Sequence, residues 1–143
     1  MCGLRMPIDS NEPIPGGDVR MEVEVTSNRG DCLCHTGWAR EIAAATGRTL
    51  KLPSLGTPAK RITTLDGFVL TNEVAQRGCP RFTLRRIVSV KVGPSPAWLR
   101  ERLEAIGQRS INNVVDVTNF VLHELGQPSH VFDARTIKGQ ALA

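Results

Sequence analysis

The sequence predicts an α+β chain, with short mixed or antiparallel sheets and helices packed against them. Two observations carry that reading. Val19 to Val25 alternates apolar and charged side chains with the period of a strand. Three later stretches read as helices, two opening with the N-cap residues Asp31 and Ser95 and one running from Asn113 on its apolar spacing, and they end at glycines 47, 107 and 126.

Residues 1–18 hold Pro7, Pro13, Pro15, Gly16 and Gly17 and read as a loop or tail. In the strand that follows, Val19, Met21, Val23 and Val25 share one face and Arg20, Glu22 and Glu24 the other, so it should be half-buried. Thr26 to Asp31 forms a turn with Asp31 as N-cap, and Cys32 to Thr46 forms a helix stopped by Gly47. Residues 48–66 contain Pro53, Gly56 and Pro58 without a sustained period, which predicts a linker and a domain boundary.

Phe68 to Thr71 reads as a short strand. Phe82 to Val92 reads as a longer one, with a bulge possible where Arg86 interrupts the apolar face and Ile87 sits opposite. The second helix takes Ser95 as N-cap and Pro96 at its first position, with Trp98, Leu99, Arg102, Leu103 and Ile106 as its inner stripe. The third is expected over Asn113 to Leu125, burying Val114, Val117, Val121 and Leu125 and turning Asp116, Asn119 and His123 roughly the other way. Gln127 to His130 then makes a turn, and Val131 to Asp133 an extended segment.

Composition narrows the class. The 143 residues are 41% hydrophobic and 22% charged, ordinary for a soluble globular chain. No apolar run approaches the roughly 20 residues that span a bilayer, and the first residues lack the apolar core of a secretory signal. Cys2, Cys32, Cys34 and Cys79 are irregularly spaced, which fits reduced thiols and a cytoplasmic protein better than a disulfide framework. The net charge is +4, but from Arg77 to Arg109 eight basic residues face only Glu101 and Glu104. That excess suits contact with a phosphate backbone, or equally a solvated strand and helix face.

The commonest catalytic signatures are missing: no phosphate-cradling loop, dinucleotide fingerprint, zinc-protease helix or nucleophile elbow occurs. Cys32, Cys34 and His35 carry metal-ligating groups, yet side chains this close at the start of a helix diverge, and no second pair follows. Small residues packing a helix explain them better, so no metal or cofactor site is assigned. Arg29-Gly30-Asp31 is a turn with a cap. The densest polar chemistry lies from Arg109 to Phe120 and from Gln127 to Asp133. It reads either as a network of caps and turn bonds or as a pocket where Thr118, Asn119 and His130 converge.

These residues carry a family resemblance. The run Ile111-Asn112-Asn113-Val114-Val115-Asp116-Val117-Thr118-Asn119-Phe120 closely resembles the beta subunit of bacterial-type phenylalanine–tRNA ligase. So do Glu124 to Pro128, His130 and Phe132-Asp133. Earlier blocks agree in order: Glu22 to Thr26, Asn28 to Leu33, Ala39 to Ala44, Cys79 to Thr83, and Val92 to Leu99. The likeness runs from about residue 12 to 139.

The resemblance implies partial domains of a larger chain: residues 1–50 as the end of a small α+β domain, 51–65 as linker, and 66–143 as the N-terminal part of a tRNA-editing domain. It implies an ATP- and magnesium-dependent enzyme that joins phenylalanine to its tRNA as an alpha2beta2 heterotetramer. Aminoacylation is placed in the alpha subunit, so no residue here is assigned to it. The beta subunit is implied to hydrolyse tyrosine misattached to tRNA-Phe, because a pocket for phenylalanine cannot strongly reject a ring with one added hydroxyl. The matching editing positions are Thr118, Asn119 and His130, with His130 on the tyrosine hydroxyl or the attacking water. Arg81, Arg85, Arg86 and Lys91 are candidates to face tRNA. Val131 stands where the family commonly has a small residue, and an acidic member of the pocket has no counterpart in this sequence, so the chain by itself is expected to be inactive. Two other readings stay open: a non-catalytic tRNA-binding or subunit-interaction module, and a stand-alone editing factor.

Overall fold

The structure, a computed structural model, describes residues 6–54, 56, 67–73, 75, 76 and 78–142. Much of the expected linker, together with Cys2 and Arg77, lies outside the described residues. The chain forms two compact units. One comprises the described residues through Pro53 with Val92–His130, and the other Ser54–Lys91 with Val131 onward.

The first unit begins with an antiparallel hairpin, β1 (Ile8–Ile14) and β2 (Asp18–Val23), paired from Ile14 with Asp18 to Ser10 with Glu22. The turn between them needs a left-handed backbone at Gly16 and Gly17 (φ 94° and 80°), which glycine adopts without penalty. An ion pair joins Glu12 to Arg20 directly across the strands. The stretch expected as a loop is therefore half strand. Its prolines disguised it, yet a two-stranded ribbon has only edges, where a missing N–H is tolerated. The inner face is only partly covered: Val23 is half-buried, while Val19 and Met21 are exposed.

A single 3-10 turn at Gly30–Cys32 leads into α1 (His35–Thr46). This helix starts three residues later than expected, with the Cys34 sulfur as N-cap, accepting from the Gly37 N–H at 3.4 Å. Asp31 does not cap it because its carboxylate is held by Arg29, through Nε and Nη2 at 2.9 Å each. Gly47, at φ 68°, ends the helix as expected.

The helix α2 (Ala97–Ala105) buries Leu99 and Leu103, four residues apart on one face. It closes at Gly107 with a Schellman motif: the Gly107 N–H donates to Glu104 and the Gln108 N–H to Leu103, both at 2.9 Å. The helix α3 (Asn113–Leu125) has the bounds read from the sequence. Asn112 Oδ1 accepts from the Val114 and Val115 N–H groups at 3.0 Å, and Gly126 (φ 73°) ends it. Both α1 and α2 pack on α3, and the Trp98 ring meets Phe120 edge-on with centroids 5.6 Å apart. Several expectations fail here. Ser95 does not cap α2, because its hydroxyl donates to Asp116, and Pro96 stands at the N-cap, one position before the first helical residue. Of the expected inner stripe of α2, Trp98, Arg102 and Ile106 are exposed, and on α3 Asp116 is fully buried while Val117 is exposed.

In the second unit β3 (Val69–Leu70) pairs in parallel with β4 (Ala141–Leu142). Residues 82–92, expected as a strand, join no ladder among the described residues. Ser89 adopts φ 60° and interrupts the run, and Ile87, Val88 and Val90 stay exposed. Alternation alone does not make a strand; its backbone groups need a partner.

Candidate functional site

The polar cluster predicted around residues 109–133 centres on α3, whose N-terminal end is fixed by a buried carboxylate. Asp116 Oδ2 accepts from the hydroxyls of Ser95 and Ser110, both at 2.5 Å, and Oδ1 accepts from the Ile111 N–H at 2.9 Å. Burial pushes this carboxyl up, but the bonds from Ser110, Ser95, Ile111 and Asn112 together outweigh it and hold Asp116 below the usual carboxylate range. A charge can thus be buried because donors surround it. Alongside, the Asn113 N–H donates to the Gly93 carbonyl at 2.9 Å and Asn113 Oδ1 accepts from the Gly93 N–H at 3.1 Å. The start of α3 is bonded to the entry of α2 through backbone and side chains together.

The C-terminal end of α3 is fixed by α1. The last carbonyls of a helix have no partner within it. Here the Thr36 hydroxyl donates to the Glu124 carbonyl at 2.7 Å, and His35 Nδ1 lies 2.9 Å from the His123 carbonyl. Contact is close: a Cβ on Gly126 would lie 3.1 Å from the Cys34 sulfur. Cys34, His35 and Thr36 therefore form a junction between helices.

Between these ends, Thr118 and Asn119 are adjacent and half-buried on α3. The Thr118 hydroxyl donates to the Val115 carbonyl at 2.6 Å, which leaves its lone pairs as acceptors. His130 is exposed, four residues beyond Gly126 in the same compact unit. Its neighbour Val131 is exposed, and just beyond it Asp133 is paired with Arg135, whose hydrogen bonds hold the carboxyl down to about 2. Arg81, Arg85, Arg86 and Lys91 are all exposed, with the Arg86 guanidinium 6.0 Å from the Phe68 ring centroid.

Cys32, Cys34 and His35 do not share a site. Cys32 is buried beside Arg29, and burial pushes its thiol up and keeps it protonated. Asp31, Cys32 and Glu41 each offer a ligand atom within 4.8 Å of the others. Arg29 already supplies the cation there, pairing with Asp31 at 2.9 Å and Glu41 at 2.7 Å. That arginine holds Asp31 down to about 2, chiefly by hydrogen bonding.

Sequence reasoning missed Ser95, Ser110, Asp116 and Thr36 as a group that supports the site. Asp116 carried one signal, a carboxylate one position from an otherwise apolar stripe. The partners carried none, because they lie 21 positions before Asp116 in one case and 88 before Glu124 in another.

The chain is similar to known proteins over most of its length. The B3/4 domain family matches residues 78–143, which include α2, α3 and His130. The chain is 54% identical over 117 residues to the phenylalanine–tRNA ligase beta subunit of Rhodopirellula baltica, covering 82% of this chain and 17% of that protein. It is 48% identical over 125 residues to the beta subunit of Bdellovibrio bacteriovorus, covering 87% and 15%. Against the Moorella thermoacetica beta subunit it is 42% identical over 134 residues, covering 94% and 17%. An α+β segment with a B3/4 match and these relatives defines an aminoacyl-tRNA synthetase subunit. Within that class, the chain belongs to the phenylalanine–tRNA ligase beta-subunit family. It spans about one sixth of the length of these relatives.

Proposed function

We propose that this segment contributes to hydrolytic editing of tyrosine misattached to tRNA-Phe, as the opening part of an editing domain (residues 66–143) that follows a smaller domain and linker. The enzyme it serves would be a cytoplasmic alpha2beta2 phenylalanine–tRNA ligase that uses ATP and magnesium at sites outside this segment. The observation that carries the reading is the display of Thr118 and Asn119, half-buried on a helix fixed at both ends, just ahead of His130. A preorganised surface of acceptors and an imidazole can orient a water against an ester without reorganising during reaction. In this scheme His130 bonds the attacking water or the tyrosine hydroxyl, and Thr118 and Asn119 orient the water or the aminoacyl end. The test is His130→Ala in a full-length beta subunit assembled with its alpha subunit. Release of tyrosine from Tyr-tRNA-Phe should fall at least tenfold while phenylalanine ligation continues, a drop of roughly 1.4 kcal/mol or more in transition-state stabilisation. Unchanged release would refute the assignment.

The exposed Arg81, Arg85 and Lys91 favour a second reading, a tRNA-binding module without hydrolysis. It requires salt-dependent tRNA affinity with no ester cleavage.

A further inference from the structure

The B3/4 match begins at residue 78, yet the last turn of α3 is held by residues that come long before it. Thr36 is buried, and its hydroxyl donates to the Glu124 carbonyl at 2.7 Å. His35 Nδ1 lies 2.9 Å from the neighbouring His123 carbonyl. These contacts satisfy two of the carbonyls that a helix leaves open at its C-terminus. They also fix the direction in which the chain leaves α3, because Gly126 turns it there with φ 73° while lying close against Cys34. His130 follows four residues later with no regular element in between.

We propose that Thr36, assisted by His35, is a positioning residue for the editing reaction: it sets the C-terminal end of α3 and thereby the place of His130 relative to Thr118 and Asn119. The inference rests on the editing function proposed above. It moves part of the control of that site outside the B3/4 region, into the helix α1. A hydroxyl bond to one carbonyl is enough for such a role, because a displacement of about 1 Å in a reacting group can cost on the order of a hundredfold in rate. Thr36 touches no reacting atom in this scheme, so its removal should slow the step and leave substrate affinity alone.

The experiment compares Thr36→Val, Thr36→Ser and His35→Ala in a full-length beta subunit carrying this segment, assembled with its alpha subunit. Hydrolysis of Tyr-tRNA-Phe is measured well below the melting temperature of every variant, with phenylalanine ligation followed in parallel. Thr36→Val should lower kcat for hydrolysis about tenfold with KM nearly unchanged, and Thr36→Ser, which keeps the hydroxyl, should restore most of it. His35→Ala should give a smaller loss of kcat in the same direction, which keeps the test available if Thr36→Val folds poorly. Wild-type kcat in both Thr36→Val and His35→Ala would overturn the inference and leave the editing function standing. A loss that Thr36→Ser shares equally would also overturn it, because the hydroxyl would then not be the cause. Absence of hydrolysis by the unmodified enzyme would remove both proposals together.

Discussion

Ser110 and Asp116 are joined by a 2.5 Å bond from the serine hydroxyl to the carboxylate, and Ser95 meets the same oxygen from the entry of α2. One buried charge therefore links three separate stretches of chain. Removing the acceptor would strand the donors around it: two hydroxyls and the backbone N–H groups of Ile111 and Asn112. Asp116→Ala should therefore lose about 3 kcal/mol of stability, and Ser110→Ala, which takes away one donor and leaves the others satisfied, about 1 kcal/mol. Urea unfolding followed by tryptophan fluorescence, to which Trp38 and Trp98 both contribute, would measure both. Equal stability of Asp116→Ala and the parent would mean the network contributes nothing net.

The same carboxylate sets an acid limit. Asp116 titrates below its ordinary value in the folded chain, while the unfolded carboxyl titrates near 3.9, roughly the model-peptide value. Between those two points the unfolded state binds more protons, so stability rises with pH. The contribution is complete above about pH 5 and is lost as pH falls through the folded value. Asp31 and Asp133, each held to about 2 by an arginine, act in the same direction, but both are exposed and solvent screening shrinks their share. Melting temperatures from pH 6 down to 2.5 should drop steeply at the acid end, and Asp116→Asn should flatten that limb. An unaltered limb in Asp116→Asn would assign acid loss to other groups.

Gly37 sits where the 3-10 turn and α1 approach closely. A Cβ there would stand 1.8 Å from the Asp31 carbonyl oxygen and 3.1 Å from the Cys32 Cα. Neither neighbour is a flexible side-chain end, so the 3-10 turn and α1 must separate to admit a methyl group. Gly37→Ala should destabilise by about 1–3 kcal/mol, the usual cost of overpacking, despite alanine's better helix propensity. Thermal melting would check the sign: a stabilised Gly37→Ala would mean the approach relaxes freely.

Local chemistry was legible at the helix stops more than at the starts, where Asp31 and Ser95 were read as caps but are drawn off by Arg29 and Asp116. Gly126 ends α3 because a left-handed glycine is a short-range device, and Gly107 and Gly47 act likewise, while the Asn112 amide cap was not read. The class α+β and the family likeness were readable for related reasons. The first strand was hidden by Pro7, Pro13 and Pro15, whose meaning depends on whether a strand is central or at an edge. The strand expected over 82–92 failed for the converse reason, because alternation carries no information about a partner. Around the site, Thr118 and Asn119 could be placed on α3, but the donors that make Asp116 a buried anchor and the hydroxyl of Thr36 could not. Those relations exist only once α1, α2 and α3 are packed together.

Thr118 carries a constraint of its own. Its hydroxyl proton is committed to the Val115 carbonyl at 2.6 Å, so towards anything bound beside α3 the oxygen acts only as an acceptor. In the proposed editing reaction it would therefore receive a bond from a donor, either the attacking water or the ammonium group of the aminoacyl ester. Thr118→Val keeps the shape and the β-branch but removes that acceptor. The lost bond to Val115 costs little, because such back-bonding contributes slightly or not at all to helix stability. The expected outcome is a drop of about tenfold in Tyr-tRNA-Phe hydrolysis, roughly the worth of one hydrogen bond in the transition state, with unfolding free energy changed by less than about 1 kcal/mol. Thr118→Ser, which retains the oxygen, should stay near the parent rate. Parent-like hydrolysis by Thr118→Val would remove this hydroxyl from the reaction, and a large loss of stability instead would make Thr118 a structural residue of α3.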